Sequence, residues 1–233
     1  MMRTDPPVDD AYLRATYLLD LVEIDSTLVI NSPRGLRNAN EKIFGLQAAD
    51  LMPPTLVSAD PNVIVGYVEE WGRGVLKPTD CMAGRGIHIL DPRDPNLHSI
   101  LDTATLRGQR QVVVQQWIHG VEDLGDRRVI VLDGEPIGAV RRVASGGDFR
   151  CNMAAGALTR ADEVTDRDRE ICARLAPLLR DNGLYFVGLD VLGDYLTEVN
   201  VTSPTGLREI DALSGTHLAD RVVEWIESMV LAV

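Results

Sequence analysis

The chain is predicted to adopt an α+β fold, in which β-hairpins and packed helices occur together. Two turn signals, Asp133-Gly134 and Gly193-Asp194, each separate a pair of apolar, β-rich runs, which is typical of hairpins. A third observation is a helix signal at Thr165, where a capping residue precedes apolar side chains that repeat at helical spacing. Together these patterns predict sheets built from hairpins and covered by helices.

The first half of the chain predicts helices interspersed with short strands. Ser32-Pro33 is typical of a helix start, because serine caps free backbone amides and proline lacks one. In order, we expect a helix over 9–23, a strand at Thr27–Asn31, a helix from Ser32-Pro33 towards Lys42, a helix at Asn62–Trp71, strands at Gly74–Lys77 and Ile87–Leu90, a helix at Leu97–Leu106 and a β-rich run at Gln111–Ile118.

The second half predicts two hairpins around one long helix. Thr165 with Asp168 three residues later resembles a capping box, and Pro177 inside the helix implies a kink. In order, we expect strands at Arg127–Leu132 and Ile137–Val143, a helix from Thr165 to about Asn182-Gly183, strands at Tyr185–Leu192 and Tyr195–Thr202, and a closing helix at Leu218–Val230.

The last hairpin carries two carboxylates and an amide that could hold Mg²⁺. Glu198 and Asn200 are two residues apart on a predicted strand, so they share one face. Asp190 faces Glu198 only if the register pairs these two residues. That register requires an odd loop, for example 193–195, or a β-bulge, because a two-residue turn would place Asp190 on the opposite face. Mg²⁺ takes few protein carboxylates and completes its shell with water and phosphate oxygens. The set therefore suits a metal–nucleotide site.

Lysine is rare in this chain, and its two positions are informative. Of 23 basic residues only Lys42 and Lys77 are lysine, and the others are arginine. A lysine ammonium is a compact charge that can approach a phosphate oxygen, whereas arginine presents a planar fork. Lys77 ends an apolar run before a loop of small residues over 80–86, and Lys42 is predicted to lie on a helix. Both are therefore candidate phosphate ligands.

Composition bounds the class of protein. A net charge of −12 disfavours nucleic acid as a partner, since such binding needs a basic face. No run of 18 apolar residues and no basic-then-apolar N-terminus is present, so we expect neither a membrane partner nor a signal peptide. The odd, scattered set Cys81, Cys151 and Cys172 favours reduced thiols. We expect a cytoplasmic enzyme of one to two domains.

Several segments, taken in order, resemble the prokaryotic glutathione synthetase family of ATP-grasp ligases. The resemblance covers nearly the whole chain, and no single segment would carry it alone. The matching segments are Arg3-Thr-Asp-Pro-Pro7, Asn40-Glu-Lys-Ile-Phe44, Leu76-Lys-Pro-Thr-Asp80, Asp126-Arg-Arg128, Asp133-Gly-Glu-Pro136, Cys151-Asn-Met-Ala-Ala-Gly156, and Phe186-Val-Gly-Leu-Asp190 through Glu209.

The resemblance implies an ATP-grasp fold, with two α+β lobes that clamp the nucleotide. Residues 1–38 would be a remnant or linker of the family's N-terminal α/β domain, most of which would be lacking. Lobe A would span residues 39–114, and lobe B, with the metal site, residues 115–233. A homo-oligomer, or a separate polypeptide that supplies the N-terminal domain, would be the expected protein partner.

The resemblance also implies an activity and its site. ATP would phosphorylate the carboxylate of γ-glutamylcysteine, and glycine would attack the acyl phosphate to give glutathione, ADP and phosphate, with Mg²⁺ or Mn²⁺ as cofactor. Charge neutralisation, exclusion of water and a positive partner for the oxyanion are the physical requirements. The implied site residues are Asp190, Glu198 and Asn200 for the metal, Lys42 and Lys77 for phosphates, Gln115, Gln116 and Ile118 for adenine, Asp126 for ribose, Arg150 and Asn152 for the nucleotide, and Arg128 and Arg142 at the reacting centre.

Other interpretations remain open at this point. Asp126 could equally be an ion-pair partner of a neighbouring arginine, and Arg128 and Arg142 could form surface ion pairs. The predicted lids, 80–86 and about 143–157, depart from the family where Cys81 and Ala83 replace glycines and where Ala157-Leu158-Thr159 replaces Gly-Arg-Gly. Gly206 stands where the family usually has cysteine. The alternatives are a compact ligase for another carboxylate and amine, or a non-catalytic ATP-binding remnant.

Overall fold

The predicted α+β class is confirmed by two antiparallel sheets flanked by helices. The structure is a computed structural model that describes residues 1–5, 7–23, 27–82, 84–120, 124–144, 151 and 156–231. The predicted nucleotide-binding residues Arg150 and Asn152 lie outside the described residues, as do Ala83 of the first lid and most of the second lid.

Within the described residues, the first half of the chain supplies four α-helices, one 3₁₀ helix and four strands. They are helix α1 at Asp10–Glu23, α2 at Pro33–Asn38, a 3₁₀ helix at Phe44–Leu51, β1 at Thr55–Ser58, α3 at Pro61–Trp71, β2 at Gly74–Pro78, β3 at His88–Leu90, α4 at Leu97–Ala104 and β4 at Val112–Gln116. The second half follows with β5 at Asp126–Leu132, β6 at Glu135–Val143, β7 at Leu158–Asp162, α5 at Asp166–Asp181, β8 at Phe186–Leu192, β9 at Tyr195–Asn200, α6 at Leu207–Ser214 and α7 at Leu218–Leu231.

The smaller sheet has the strand order β1-β4-β2-β3, and every neighbouring pair is antiparallel. Its core is shared with α3 and α4 through buried side chains such as Ile64, Val68, Leu76, Leu101 and Val114. The expected boundary between the two lobes, at residues 114 and 115, falls inside β4. The whole of β4 belongs to this smaller sheet.

The larger sheet has the order β7-β6-β5-β8-β9 and is also antiparallel throughout. Because side chains alternate along a strand, its two faces build two separate cores. Val129 and Val131 pack with α5, α2 and the 3₁₀ helix, whereas Ile130 packs with side chains of α6 and α7. Arg127 and Arg128, which are adjacent in β5, therefore point to opposite faces.

Two sequence predictions in the N-terminal region are wrong. Thr27–Asn31 is not a strand, because Asn31 makes the contacts that a strand partner would otherwise make. Its side-chain amide donates to the carbonyls of Phe186 and Val201, and its Oδ1 accepts from the Phe186 amide. Lys42 is not helical, because α2 ends where Ala39 adopts extended angles (φ −102°, ψ 90°).

Most of the other predicted elements are confirmed to within a few residues. The Thr165 side chain accepts from the Asp168 amide and the Asp168 carboxylate accepts from the Thr165 amide, so the capping box that opens α5 is present. Pro177 lies inside this helix. The sequence analysis missed the 3₁₀ helix, β1, β7 and α6. Among the described residues, none of the helices has both the length and the apolar character needed to cross a bilayer.

Candidate functional site

The β8–β9 hairpin places the predicted metal ligands on one face. Asp190 pairs with Glu198, and a bulge at Asp190/Val191 allows this register despite a two-residue turn at the tip. Thr197 is the extra residue of the bulge, and its hydroxyl donates to the Asp190 carbonyl at 3.1 Å. Of the two solutions that the sequence left open, the chain uses the bulge. Asn200 then lies on the same face as Glu198.

A cleft lies between the two sheets, beside this hairpin. The smaller sheet contributes side chains of β2 and β4, and the larger sheet contributes side chains of β5, β8 and β9. The residues that line the cleft are Pro53, Val75, Lys77, Ile87, Gln115, Gln116, Trp117, Ile118, Asp126, Cys151, Asp190, Leu192, Thr197 and Glu198. Apolar walls and charged ends thus meet in one site.

Two arginines hold the Asp190 carboxylate. Arg128 reaches it with Nε at 2.6 Å from Oδ1 and Nη2 at 3.3 Å from Oδ2, and Arg142 Nη2 lies 3.0 Å from Oδ2. Gly188 makes room for this contact, because a Cβ there would lie 2.9 Å from Arg128 Nη1. Burial alone would raise the pKa of Asp190, but the charges of Arg128 and Arg142 outweigh burial and lower it. Asp190 is therefore ionised and fixed in orientation.

Arg142 is shared between two carboxylates. Its Nε donates to Asp126 Oδ1 at 2.7 Å and its Nη2 contacts Asp126 Oδ2, while the same group reaches Asp190. Burial raises the pKa of Asp126 to about 6; the charge of Arg142 opposes this rise and that of Asp190 adds to it. Asp126 thus forms the ion pair considered above and also faces the cleft. We call Asp126, Arg128, Arg142 and Asp190 the cleft cluster.

Lys42 connects a predicted metal ligand to the first predicted lid. Its Nζ lies 3.2 Å from Glu198 Oε1 and donates to the Cys81 carbonyl at 2.6 Å. The side chain is only 4% exposed, so these contacts replace water around the ammonium. Lys42 is thus adjacent to the cleft rather than among the residues that line it.

Lys77 projects from β2 into the cleft. Its Nζ donates at 3.4 Å to the carbonyl of the bulge residue Thr197, across the gap between the two sheets. Burial lowers the pKa of Lys77; the negative charge of Glu198 opposes this, and the positive charge of Lys42 adds to it. A buried ammonium beside the predicted metal ligands is suited to a polyanionic ligand, whose negative charge would offset the cost of burying Lys77.

The structure brings most of the predicted site residues together. Those that line the cleft are Lys77, Gln115, Gln116, Ile118, Asp126, Asp190 and Glu198. Those that contact lining residues from behind are Lys42, Arg128 and Arg142. Asn200 is not among the residues that line the cleft; it pairs with Gly188 on β8, and its Nδ2 donates to the Gly188 carbonyl at 3.2 Å.

The donor set of the hairpin fits a hard divalent cation. Two carboxylates and an amide oxygen are the ligand types that Mg²⁺ prefers, and Asp190 directly opposes Glu198. Each carboxylate is also paired with a cationic side chain of the protein, Glu198 with Lys42 and Asp190 with Arg128. These ion pairs fix the orientation of both carboxylates. Within the described part of the chain, no group of three or more His, Cys, Asp or Glu side chains could hold a metal, and this set contains only two such residues.

Sequence reasoning missed Glu41, a buried carboxylate behind β9. Its Oε1 accepts from the amides of Val201 and Thr202 and from the Thr202 hydroxyl. Burial, and next the charge of Glu198, raise the pKa of Glu41 against the lowering effect of these hydrogen bonds. The only signal in the sequence is its position beside Lys42, since its partners lie about 160 residues away along the chain.

Solved structures establish the class of fold. The ATP-grasp ligase PsnB, complexed with a minimal precursor, superposes with a TM-score of 0.64 at 26% identity, covering 90% of this chain and 67% of that one. The D-alanine–D-alanine ligase of Bacillus anthracis complexed with ATP superposes with a TM-score of 0.59 at 15% identity, covering 83% and 68%, which shows the fold alone. The chain has the ATP-grasp fold.

Sequence relatives specify the family. The model of the prokaryotic glutathione synthetase ATP-grasp domain matches residues 41–215, and that of the N-terminal domain of the same family matches residues 1–37. A glutathione synthetase of Thermosynechococcus vestitus is 54% identical over 97% of this chain and 71% of its own length. That of Coxiella burnetii is 43% identical over 98% and 71%. The chain belongs to the prokaryotic glutathione synthetase family, whose members are ATP-dependent ligases that use a divalent metal.

Proposed function

We propose that this chain joins γ-glutamylcysteine to glycine and converts ATP to ADP and phosphate, so that glutathione is formed. The observation that carries the proposal is the cleft in which Asp190 opposes Glu198 and Lys77 projects from the other sheet. The relatives named glutathione synthetase support the choice of substrates. The geometry supports the nucleotide-dependent part of the reaction.

Asp190, Glu198 and Asn200 would hold Mg²⁺ or Mn²⁺, and the bound cation would neutralise charge on the phosphates of ATP. Lys77 would contact a phosphate from the opposite side of the cleft, since it is the lysine that projects into it. Lys42 would exchange part of its contact with Glu198 for a phosphate oxygen. Its bond to the Cys81 carbonyl would then couple phosphate binding to the first lid.

The adenosine part of ATP would lie at the end of β4. Gln115, Gln116 and Ile118 line the cleft there, and their backbone groups suit an adenine ring better than their varied side chains do. Asp126 would accept a ribose hydroxyl on the side that faces away from Arg142. By resemblance, Arg150 and Asn152 would complete the nucleotide site.

The reaction would proceed in two steps. The carboxylate of γ-glutamylcysteine attacks the γ-phosphorus of ATP, which forms the acyl phosphate and releases ADP. The glycine amine then attacks the acyl carbon, the phosphate leaves, and the amine loses a proton. Arg128 and Arg142 hold Asp190 in place, and their positive potential would stabilise the negative charge on the acyl phosphate and the tetrahedral oxyanion.

The test is to supply Mg-ATP, γ-glutamylcysteine and glycine to the purified chain, and to measure ADP release together with the product mass. We expect equal amounts of ADP and glutathione. Omission of glycine should abolish the glutathione mass, and the Glu198→Gln variant should lose both signals. If ADP is released without glutathione, the substrate assignment is wrong.

One observation favours a second carboxylate–amine pair. Gly206 has φ +121°, and a Cβ there would lie 3.1 Å from Arg128 Cγ, so the residue that replaces the family's usual cysteine is fitted to a glycine conformation. A change beside Arg128 could alter the acceptor site. The same assay with other amino acids in place of glycine distinguishes this ligase from a glutathione-forming one by the product mass.

A further inference from the structure

One side chain completes the outer edge of the strand that carries two predicted metal ligands. β9 is the last strand of the larger sheet, so its outer backbone groups have no strand partner in the described chain. Glu41 occupies that position instead. Its carbonyl accepts from the Val199 amide at 3.0 Å, and its carboxylate oxygen accepts from the Val201 amide at 2.8 Å. Glu41 thus substitutes for an adjacent strand over this part of β9.

The same carboxylate also holds the residue after Val201. Oε1 accepts from the Thr202 amide at 3.0 Å and from its hydroxyl at 2.8 Å, and Glu41 is only 5% exposed. Burying a carboxyl group costs free energy unless its oxygens are hydrogen-bonded. These contacts therefore satisfy the Glu41 side chain and at the same time hold the edge of the strand in place. Loss of the side chain would leave two buried amides without an acceptor.

Glu41 and Lys42 together bracket the metal-ligand strand from one short segment. Lys42 holds the Glu198 carboxylate, while Glu41 holds the backbone on both sides of Asn200. A metal site needs its ligands held to within about 0.5 Å of the productive geometry, and an edge strand by itself is the least constrained part of a sheet. Support from residues behind the ligands is therefore expected to set metal affinity.

We propose that Glu41 is a positioning residue that keeps Glu198 and Asn200 opposite Asp190, and so sets the affinity of the site for its divalent cation. This inference rests on the proposed metal site and deepens it. Glu41 touches neither nucleotide nor metal in this role. It acts through the backbone of β9.

The test uses Mn²⁺ as the probe. Mn²⁺ is titrated by calorimetry into the chain saturated with a non-hydrolysable ATP analogue, and thermal unfolding is recorded for each variant. Glu41→Ala should weaken Mn²⁺ binding by about 10- to 100-fold, as loss of a supporting residue behind metal ligands does. Glu41→Gln keeps an acceptor oxygen at the same reach and should bind Mn²⁺ within about threefold of the wild type, a difference below about 0.7 kcal/mol.

A matched control separates positioning from general stability. Asp168 is a buried carboxylate of α5 that contacts Thr165 and, on the same sheet, Arg127, away from the cleft. Asp168→Ala should lower the unfolding temperature at least as much as Glu41→Ala and leave Mn²⁺ affinity unchanged. If Glu41→Ala does not fold, Glu41→Asp, whose shorter side chain cannot reach both the Val201 and Thr202 amides, takes its place.

Equal Mn²⁺ affinities for Glu41→Ala and Asp168→Ala would overturn the proposal, as would failure of the wild type to bind Mn²⁺ with the analogue. The measurement needs no turnover. A wild type that binds Mn²⁺ and nucleotide but forms no glutathione would refute the proposed substrates and leave the inference about Glu41 intact. A selective loss of Mn²⁺ affinity in Glu41→Ala, restored in Glu41→Gln, supports it.

Discussion

The two faces of the larger sheet carry ionic clusters of the same composition with different surroundings. The cleft cluster has two arginines and two aspartates. The opposite face has the helix-side cluster, which consists of Arg127, Arg141, Asp162 and Asp168. The arginines of the two clusters are sequence neighbours, as 127 and 128 on β5 and as 141 and 142 on β6.

The helix-side cluster is closed by a helix end. Asp168 is fully buried, Arg127 Nε lies 2.8 Å from its Oδ2 as an ion pair without hydrogen-bond alignment, and the same oxygen accepts from the Thr165 amide and hydroxyl. Arg141 and Asp162 form its outer part, at 29% and 19% exposure. None of these side chains is among those that line the cleft. The cluster therefore joins α5 to the sheet.

In the described part of the chain, no helix covers the cleft cluster on the side of the cleft. Asp126 and Asp190 both line the cleft, while Arg128 and Arg142 lie behind them with 5% and 2% exposure. Desolvation offsets much of the attraction in any buried ion pair, so such a cluster is weak evidence of stabilisation. Two charge patterns of the same composition therefore differ in what covers them. The helix-side cluster is covered by α5, whereas the cleft cluster faces the cleft in which we propose that the nucleotide binds.

The largest effect should follow from Asp190→Asn. Loss of one buried charge leaves Arg128 and Arg142 without their shared partner, which costs about 3–5 kcal/mol of unfolding free energy. The same change removes a proposed metal ligand, so ATP turnover should fall by more than about 100-fold, beyond the effect of losing a supporting residue. Urea unfolding and ADP release measure the two effects.

Glu198→Gln is the matched control, because its partner Lys42 also bonds to Cys81 and keeps one acceptor. We expect an equal loss of turnover with a smaller loss of stability. Normal turnover in both variants would remove Asp190 and Glu198 from the metal site, and the cleft cluster would then resemble the helix-side cluster.

The second effect is purely structural. Asp168→Asn should lower the unfolding free energy by about 3 kcal/mol, because Arg127 loses a buried counter-charge and the cap of α5 is weakened. The turnover number per folded molecule should match that of the wild type, when it is measured well below the unfolding temperature. A drop in turnover without a drop in stability would show that the two faces are coupled.

The third effect concerns the shape of the cationic group at position 77. Lys77→Arg keeps the charge but places a planar fork where Nζ reaches Thr197 from a buried position. ATP affinity should fall about tenfold, or about 1.4 kcal/mol, with a smaller change in stability. Arg141→Lys in the helix-side cluster is the comparison. Its ATP affinity, measured by calorimetry, should equal that of the wild type. An unaltered ATP affinity in Lys77→Arg would show that Lys77 does not contact a phosphate and serves only in packing.

Much of the fold was predictable because its signals are local. The turns at Asp133-Gly134 and Gly193-Asp194 and the capping box at Thr165 depend on neighbouring residues only, and all three are present. β7 was missed because it is a largely exposed strand of mixed polarity, and its pattern carries no clear period. The helix predicted towards Lys42 begins at Pro33 with the expected Ser32 cap but ends at Asn38, because Ala39 adopts extended angles that no local signal indicates.

The relative orientation of the candidate site residues was predictable where side chains alternate along a strand. Glu198 and Asn200 had to share a face, and the register condition for Asp190 anticipated the bulge. Period two also separates Arg127 from Arg128 but does not say which of them faces a ligand, since that depends on where α5 docks. Glu41 was out of reach, because its partners Val201 and Thr202 are distant in the chain and nothing in its local sequence marks it as buried.

The last effect is a pH dependence that belongs to the cleft cluster. Burial raises the pKa of Asp126 from 3.8 to about 6 against the charge of Arg142, with the charge of Asp190 adding to the rise. Between these values the folded chain keeps a proton that the unfolded chain has lost. The contribution of Asp126 to the unfolding free energy is therefore fully present below about pH 4 and is lost as the pH rises through 6. Asp126→Asn cannot titrate, so wild-type stability relative to this variant should fall by about 1–2 kcal/mol between pH 4.5 and 7.

Asp211 provides a control of opposite sign. Burial would raise its pKa, but hydrogen bonds from the Leu218 amide and the Thr216 hydroxyl outweigh this and lower it, so its contribution is present at neutral pH and is lost as the pH falls. Because its pKa is at most 3.8 in both the folded and the unfolded chain, wild-type stability relative to Asp211→Asn should stay nearly constant between pH 4.5 and 7, where the comparison with Asp126→Asn shows a fall. Urea unfolding at four pH values between 4.5 and 7 gives both slopes. If the comparison with Asp126→Asn is equally flat over this range, Arg142 outweighs burial at Asp126, and the cleft cluster is as firmly ion-paired as the cluster on the helix side.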